Sequence, residues 1–175
     1  MKSLVTQRLR LEPLEQWHAQ VLFEGLRDAR LYRWLDEKPP ESLDYLSRRY
    51  QRLQTRQSAD GSEIWLNWVI LSVTEGRYIG YVQATIRGRT ASVAYVLFAD
   101  AQGKGFAREA VASMIQELVG SYNVADVLAT VDRHNQRSCA LLSALNFVQV
   151  MDAEAVAGLD KDEMMFKCSR AEAAG

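Results

Sequence analysis

Two short stretches carry residue types that can do chemistry. Residues 102–107 read Gln-Gly-Lys-Gly-Phe-Ala, between an apolar run and a segment with helical spacing, and residues 135–147 read NQRSCALLSALNF. In the first, Gly103 and Gly105 lack Cβ atoms, so an anion can approach the amides of the turn. Ala107 keeps the next turn small, and the start of a helix favours negative charge. Lys104 and Arg108 supply cations for outer phosphates. In the second stretch, Asn135, Ser138 and Cys139 set an amide, a hydroxyl and a thiol at the head of a short helix.

Three readings compete for the anion. A Walker A loop needs G-x-x-x-x-G-K-[ST]; Lys104 is followed by Gly105, so that reading fails. A dinucleotide fingerprint, G-x-G-x-x-G, accepts Gly103 and Gly105 but meets Arg108 at its third small position. That fingerprint also belongs in a βαβ unit, and the strand before this loop sits in a hairpin meander. The third reading is the pyrophosphate loop of a coenzyme A enzyme. A glycine-rich turn with a solvated lysine is the plain alternative.

The elements that must hold these stretches follow from periodicity. TQRLRLEPL alternates Leu9 and Leu11 with charged residues, a half-buried strand that Pro13 ends. Leu14, Trp17, Val21 and Leu22 share one helical face; beyond Pro39-Pro40, Leu43, Leu46, Tyr50 and Leu53 share another. EIWLNWVILSV, RYIGYVQATI and TASVAYVLFA are strand-like runs separated by turns at 74–77 and 87–89, a three-stranded meander. Phe106, Ala110, Met114 and Leu118 then stripe a helix. ADVLATV, FVQVM and DEMMFKCS predict the remaining strands. The fold class is α/β: a mixed, mostly antiparallel sheet of about six to seven strands with helices on both faces.

Bulk composition narrows the partners. A chain of 175 residues suits one domain, expected over residues 1–170, with 171–175 a frayed tail. Basic and acidic residues number 21 and 22, so the balance points to neither a nucleic-acid nor a membrane surface. The cysteines Cys139 and Cys168 and the histidines His18 and His134 stand apart, and no metal is expected. The first residues lack the apolar run of a signal peptide, and no window approaches a membrane span. A cytoplasmic protein with reduced thiols is the expectation.

Gln102-Gly103-Lys104-Gly105-Phe106-Ala107 resembles the Q/R-x-x-G-x-G/A loop of the GCN5-related N-acetyltransferase (GNAT) family. NQRSCALLSALNF resembles the family's second signature, an Asn, then a Ser, then a helix ending in Gly-Phe. Asn146 replaces the glycine, and Asn is the best other choice for a left-handed cap. TQRLRLEPL and NWVI…GRYIGYV are also similar to the RimJ/RimL-type branch, which acetylates ribosomal-protein N-termini. The resemblance spans residues 6–168.

It implies acetyl-CoA as cosubstrate and direct attack by a primary amine, with a protein or peptide N-terminal α-amine as the first choice of acceptor. A small amine is the runner-up, and a non-catalytic acetyl-CoA sensor is a third reading. A homodimer is an expectation from the resemblance alone. Tyr95, Val96 and Leu97 match positions whose backbone pairs with the cofactor arm, and residues 102–108 match the pyrophosphate site. Asn135 matches an asparagine that contacts the arm, and equally suits a helix N-cap. Leu142 stands where many members carry a tyrosine acid; Ser138 matches a serine that the RimJ/RimL-type branch is proposed to use as donor to the leaving thiolate, and equally suits the first helical turn. Glu154 resembles an acidic residue of the branch and is the candidate base, with Glu63 and Asp100 behind it. Trp34, Tyr45 and Tyr50 fall where the family shapes its acceptor pocket, and Asp36 and Glu37 beside Tyr32 and Trp34 offer charge for a cationic amine.

Overall fold

Alternating burial builds the first strands as the sequence predicts. The structure is a computed structural model that describes residues 1–152, 155–156 and 158–169; the expected tail at 171–175 lies outside the described residues. β1 (Leu4–Val5) pairs antiparallel with β2 (Leu9–Pro13), whose Leu9 and Leu11 are fully buried while Arg10 is exposed. The meander is β3 (Ile64–Ser72), β4 (Arg77–Arg87) and β5 (Thr90–Leu97), each antiparallel to the last. β6 (Asp126–Asp132), β7 (Val148–Gln149) and β8 (Glu163–Ser169) complete one eight-stranded sheet, ordered β1-β2-β3-β4-β5-β6-β8-β7. The count exceeds the expected six to seven because two-residue β1 is too short to show an alternation.

Helices cover both faces. α1 (His18–Leu26) and α2 (Leu43–Leu53) lie on one, burying Leu22, Leu26, Leu46 and Tyr50 with Val69 and Val96. α3 (Phe106–Ser121) and α4 (Gln136–Ser143) lie on the other, where Phe106, Ala110, Met114, Leu118 and Leu142 pack on Leu9, Trp68 and Val127. β3 is therefore buried on both sides from Leu66 to Ile70, the mark of a central strand.

One departure from regular pairing positions the site. β5 and β6 run parallel for three pairs only, Thr90↔Asp126, Ala91↔Val127 and Ser92↔Leu128. β5 continues against β4 as far as Leu97, and β6 continues against β8 as far as Asp132. The sheet forks between them.

Candidate active site

The fork leaves Val93–Leu97 paired to β4 and unpaired on the β6 side. Unpaired strand backbone binds an extended chain that supplies complementary amide groups. Tyr95, Val96 and Leu97 all lie on this stretch.

A short 3-10 turn, Ala99–Ala101, then leads into the glycine loop. Gly103 and Gly105 adopt φ of 76° and 80°, the left-handed region that glycine enters without strain. Gly105 is the N-cap of α3 and offers no side-chain acceptor. The first-turn amides, at Phe106, Ala107 and Arg108, are left for an anion. The helix end is ready-made for phosphate.

Ion pairs brace this loop. Glu109 Oε1 accepts from Thr6 Oγ1 at 2.6 Å and from the Arg8 backbone N–H at 2.9 Å; Glu109 Oε2 accepts from Arg8 Nε at 2.7 Å. Burial pushes the Glu109 carboxyl up, but these hydrogen bonds prevail and hold it below its ordinary value. Arg8 also donates to the Lys104 carbonyl at 2.9 Å, and its guanidinium lies 4.7 Å over the Phe106 ring. The Lys104 ammonium is engaged by Glu75 at 2.7 Å, and Arg77 bridges Glu75 and Asp100 at 2.7 and 2.8 Å. Arg108 is exposed beside the free amides.

The two signatures meet through Gln102. Its Nε2 donates to the Leu97 carbonyl at 3.0 Å, and its Oε1 accepts from Arg137 of α4 at 3.2 Å. Asn135 is the N-cap of α4, accepting from the Ser138 N–H at 3.2 Å. Ser138 and Cys139 are half-buried, and burial pushes the Cys139 thiol up, so it is a protonated packing residue. Tyr95 and Cys139 pack against the same core. The Tyr95 hydroxyl is buried with no hydrogen-bond partner among the described residues, and burial raises its pKa while Ser138 acts in the opposite sense.

On the opposite face, a cavity of about 630 Å³ opens between α2 and strands β3 and β4. Tyr32, Tyr45, Tyr50, Trp65 and Tyr81 line it with Asn67 and Gln83. Burial pushes the phenols of Tyr50 and Tyr81 well above their ordinary value, so both stay neutral. Its charged lining is Glu37 and Glu41 against Lys38, Arg49 and Arg52. Glu37 is already paired with Arg49 at 3.1 Å, and Asp36 is exposed and outside the lining.

Several sequence candidates take other roles here. Glu63 accepts from the Trp65 indole at 2.7 Å and from Arg87 at 2.6 Å, and Asp100 pairs with Arg77, so neither is an available base. Glu154 lies outside the described residues. Trp34 does not line the cavity; it stacks on His134, rings 6.2 Å apart and 19° from parallel, joining the α1–α2 connection to the β6–α4 loop. Asp132 Oδ1 accepts from the His134 backbone N–H at 2.8 Å and lies 2.9 Å from its Nδ1. Chiefly the backbone bond holds the Asp132 carboxyl below its ordinary value, and the ionised carboxylate leaves the imidazole's Nε2 as its acceptor nitrogen. Periodicity and motif spacing do not reveal this pair. Asp-x-His directly before the Asn signature was its only signal.

A family profile described as an acetyltransferase (GNAT) domain matches residues 8–148. The chain belongs to the GNAT acetyltransferases. This acetyltransferase is 27% identical over 179 residues to the uncharacterized N-acetyltransferase p20 of Bacillus licheniformis, covering 100% of both chains. Its fold is similar to ribosomal-protein-S5-alanine acetyltransferase from Vibrio fischeri, with a TM-score of 0.77, 19% identity and coverage of 95% of this chain and 96% of that one. It is equally similar to spermidine N-acetyltransferase from Vibrio cholerae in complex with CoA and spermine: TM-score 0.77, 19% identity, 97% and 100% coverage. At such identity the likeness shows a shared fold alone. Among the described residues no group of His, Cys, Asp and Glu is arranged to hold a metal ion, and no helix is long and apolar enough to cross a membrane.

Proposed function

We propose that this acetyltransferase uses acetyl-CoA to acetylate the α-amine at a peptide or protein N-terminus. Free amides at the head of α3 suit a pyrophosphate, and the unpaired edge of β5 suits an extended arm bearing amides. Acetyl-CoA supplies an activated acyl thioester. The backbone of Val93–Leu97 orients the arm, and an N–H of that stretch donates to the oxyanion as the amine's C–N bond forms. Ser138 donates a hydrogen bond to the sulfur as the C–S bond breaks.

The observation that carries the choice of acceptor is the cavity's charge. Three cationic side chains face two carboxylates, one of them already paired. A polyamine carries several positive charges and needs carboxylates to replace its hydration. A peptide α-amine carries one, and the tyrosines and Trp65 give its first side chains an amphipathic wall.

The α-amine also relaxes the demand for a base. Its pKa is about 7.7–8.0, against about 10.4 for lysine, so about a tenth to a sixth of it is free at neutral pH. Glu154 is the carboxylate proposed to take the remaining proton. Its share is read by Glu154→Gln, which should lower kcat/KM more at pH 6.5 than at pH 8.5.

The test is a panel: peptides with a free α-amine, the same peptides with that amine blocked and a lysine present, and spermidine. Thiol release is followed with acetyl-CoA as donor. Free α-amine peptides are expected to exceed spermidine in kcat/KM by about tenfold or more. Preference for spermidine would overturn the acceptor assignment, and CoA binding without turnover of any amine would make the chain a sensor.

A further inference from the structure

Among the described residues four side-chain polar atoms are buried without a hydrogen-bond partner, on His18, Tyr50, Arg56 and Tyr95, and of these only the Tyr95 hydroxyl lies at the fork. The Tyr95 hydroxyl has no accessible surface to speak of and no hydrogen-bond partner among the described residues. An unmade hydrogen bond at a buried hydroxyl costs about 1–3 kcal/mol, so such groups are rare and call for a reason. Removing the oxygen would relieve that cost, since a phenylalanine fills the same space.

Position supplies the reason. Tyr95 sits on β5 beyond Ser92, the last residue paired with β6, so it flanks the fork. Its register partner on β4 is Val82, which is buried in the core beneath α3 and α4, and Tyr95 packs against that same core with Cys139. Cys139 of α4 packs against the core that Tyr95 joins, and Ser138 precedes it on the same helix, both half-buried. Leu142, one turn further along α4, is buried and apolar, so it offers no hydroxyl there.

We infer that Tyr95 is a positioning residue that acts through Ser138, its phenolic O–H donating to Ser138 Oγ while the Ser138 hydroxyl donates to the sulfur of the departing thiolate. A hydroxyl oxygen has two lone pairs and one proton, so Ser138 can accept from Tyr95 and donate to sulfur together. Chained hydrogen bonds polarise one another, and the phenol makes Ser138 the stronger donor. No proton leaves Tyr95: the C–S bond breaks, the sulfur takes the electron pair, and the ammonium proton goes to the base. The phenol's raised pKa, caused by burial, keeps it a donor across the working range.

This inference rests on the acetyl-transfer reading, and Tyr95→Phe separates the two. The expected result is a fall in kcat of about five- to tenfold, with KM for acetyl-CoA within about twofold and a Tm equal to or above the parent's. In a Ser138→Ala background the same change should have no further effect, because the residue it acts through is gone. A kcat within about twofold of the parent, equal losses in both backgrounds, or a Tm lowered by more than about 3 °C would overturn it. Absence of turnover in the parent chain, for every amine of the panel, would overturn the reading and this inference together.

Discussion

The glycine loop and the β5–β6 fork lie at the same end of the sheet and are built on opposite terms. Around the loop nearly every charge is matched: Glu109 takes three hydrogen bonds, Glu75 engages Lys104 and Arg77, and Asp100 takes Arg77 as well. At the fork, among the described residues, a strand edge is unpaired and a tyrosine hydroxyl is buried without a partner. Phosphate recognition needs amides held in one arrangement before the ligand arrives, so a braced loop is useful there. Acyl transfer needs donors aimed at charge that develops only during the reaction, so groups left unsatisfied in the free enzyme are useful at the fork.

The largest way to break the braced side is Gly105→Val. A β-branched residue is strained at a φ of 80°, and its Cβ would lie 3.3 Å from Arg8 Nη2. Losing one or two amide–phosphate hydrogen bonds should raise KM for acetyl-CoA roughly tenfold to a hundredfold. Circular dichroism checks that the fold survives, and an unchanged KM would show that the loop does not hold the pyrophosphate.

Next comes Glu109→Ala, which strips the acceptor from Thr6 and Arg8. Leaving those donors unmatched should cost about 1–3 kcal/mol and lower Tm by roughly 3–10 °C, read by thermal melts. Tyr95→Phe should leave Tm unchanged or raise it. Opposite signs at the two sites are the sharpest form of the contrast.

A smaller effect is expected from pH, through the buried His18. Its Nδ1 accepts from the Glu15 N–H at 3.0 Å, its ring stacks on Trp17 at 3.8 Å, and burial lowers its pKa from 6.5. The neutral form is favoured in the fold. That stabilisation is present above pH 6.5 and is lost as pH falls from 6.5 through the lowered value. Melts across this window should show Tm declining towards acid, and His18→Phe should flatten the decline.

The smallest is Lys104→Ala. Its exposed pair with Glu75 should contribute a Tm change of no more than about 2 °C. A rise in KM for acetyl-CoA of only about two- to threefold is expected, since the proposed pyrophosphate site rests on backbone amides and salt screens the side chain.

Legibility in the sequence followed the range of the interaction. Leu9 and Leu11, the hairpin turns and the stripe from Phe106 to Leu118 are set by neighbours in the chain, and periodicity found them. The loop's conformation was legible because a left-handed turn that opens a helix demands glycines in fixed order. Longer-range meetings were not. No spacing tells that Glu109 will accept from Thr6 and Arg8, that Trp34 will stack on His134 and miss the cavity, or that Arg49 will neutralise Glu37. The fork is legible only in the register, because the residues of β5 read as strand on both sides of Ser92.

The most direct test of the central claim is the mass spectrum of a free α-amine peptide after incubation with the chain and acetyl-CoA. The expected result is one acetyl group on the α-nitrogen, formed only when chain and acetyl-CoA are both present and abolished by blocking that nitrogen. An unmodified α-nitrogen, in a sample that acetylates lysine or spermidine or nothing at all, would contradict it.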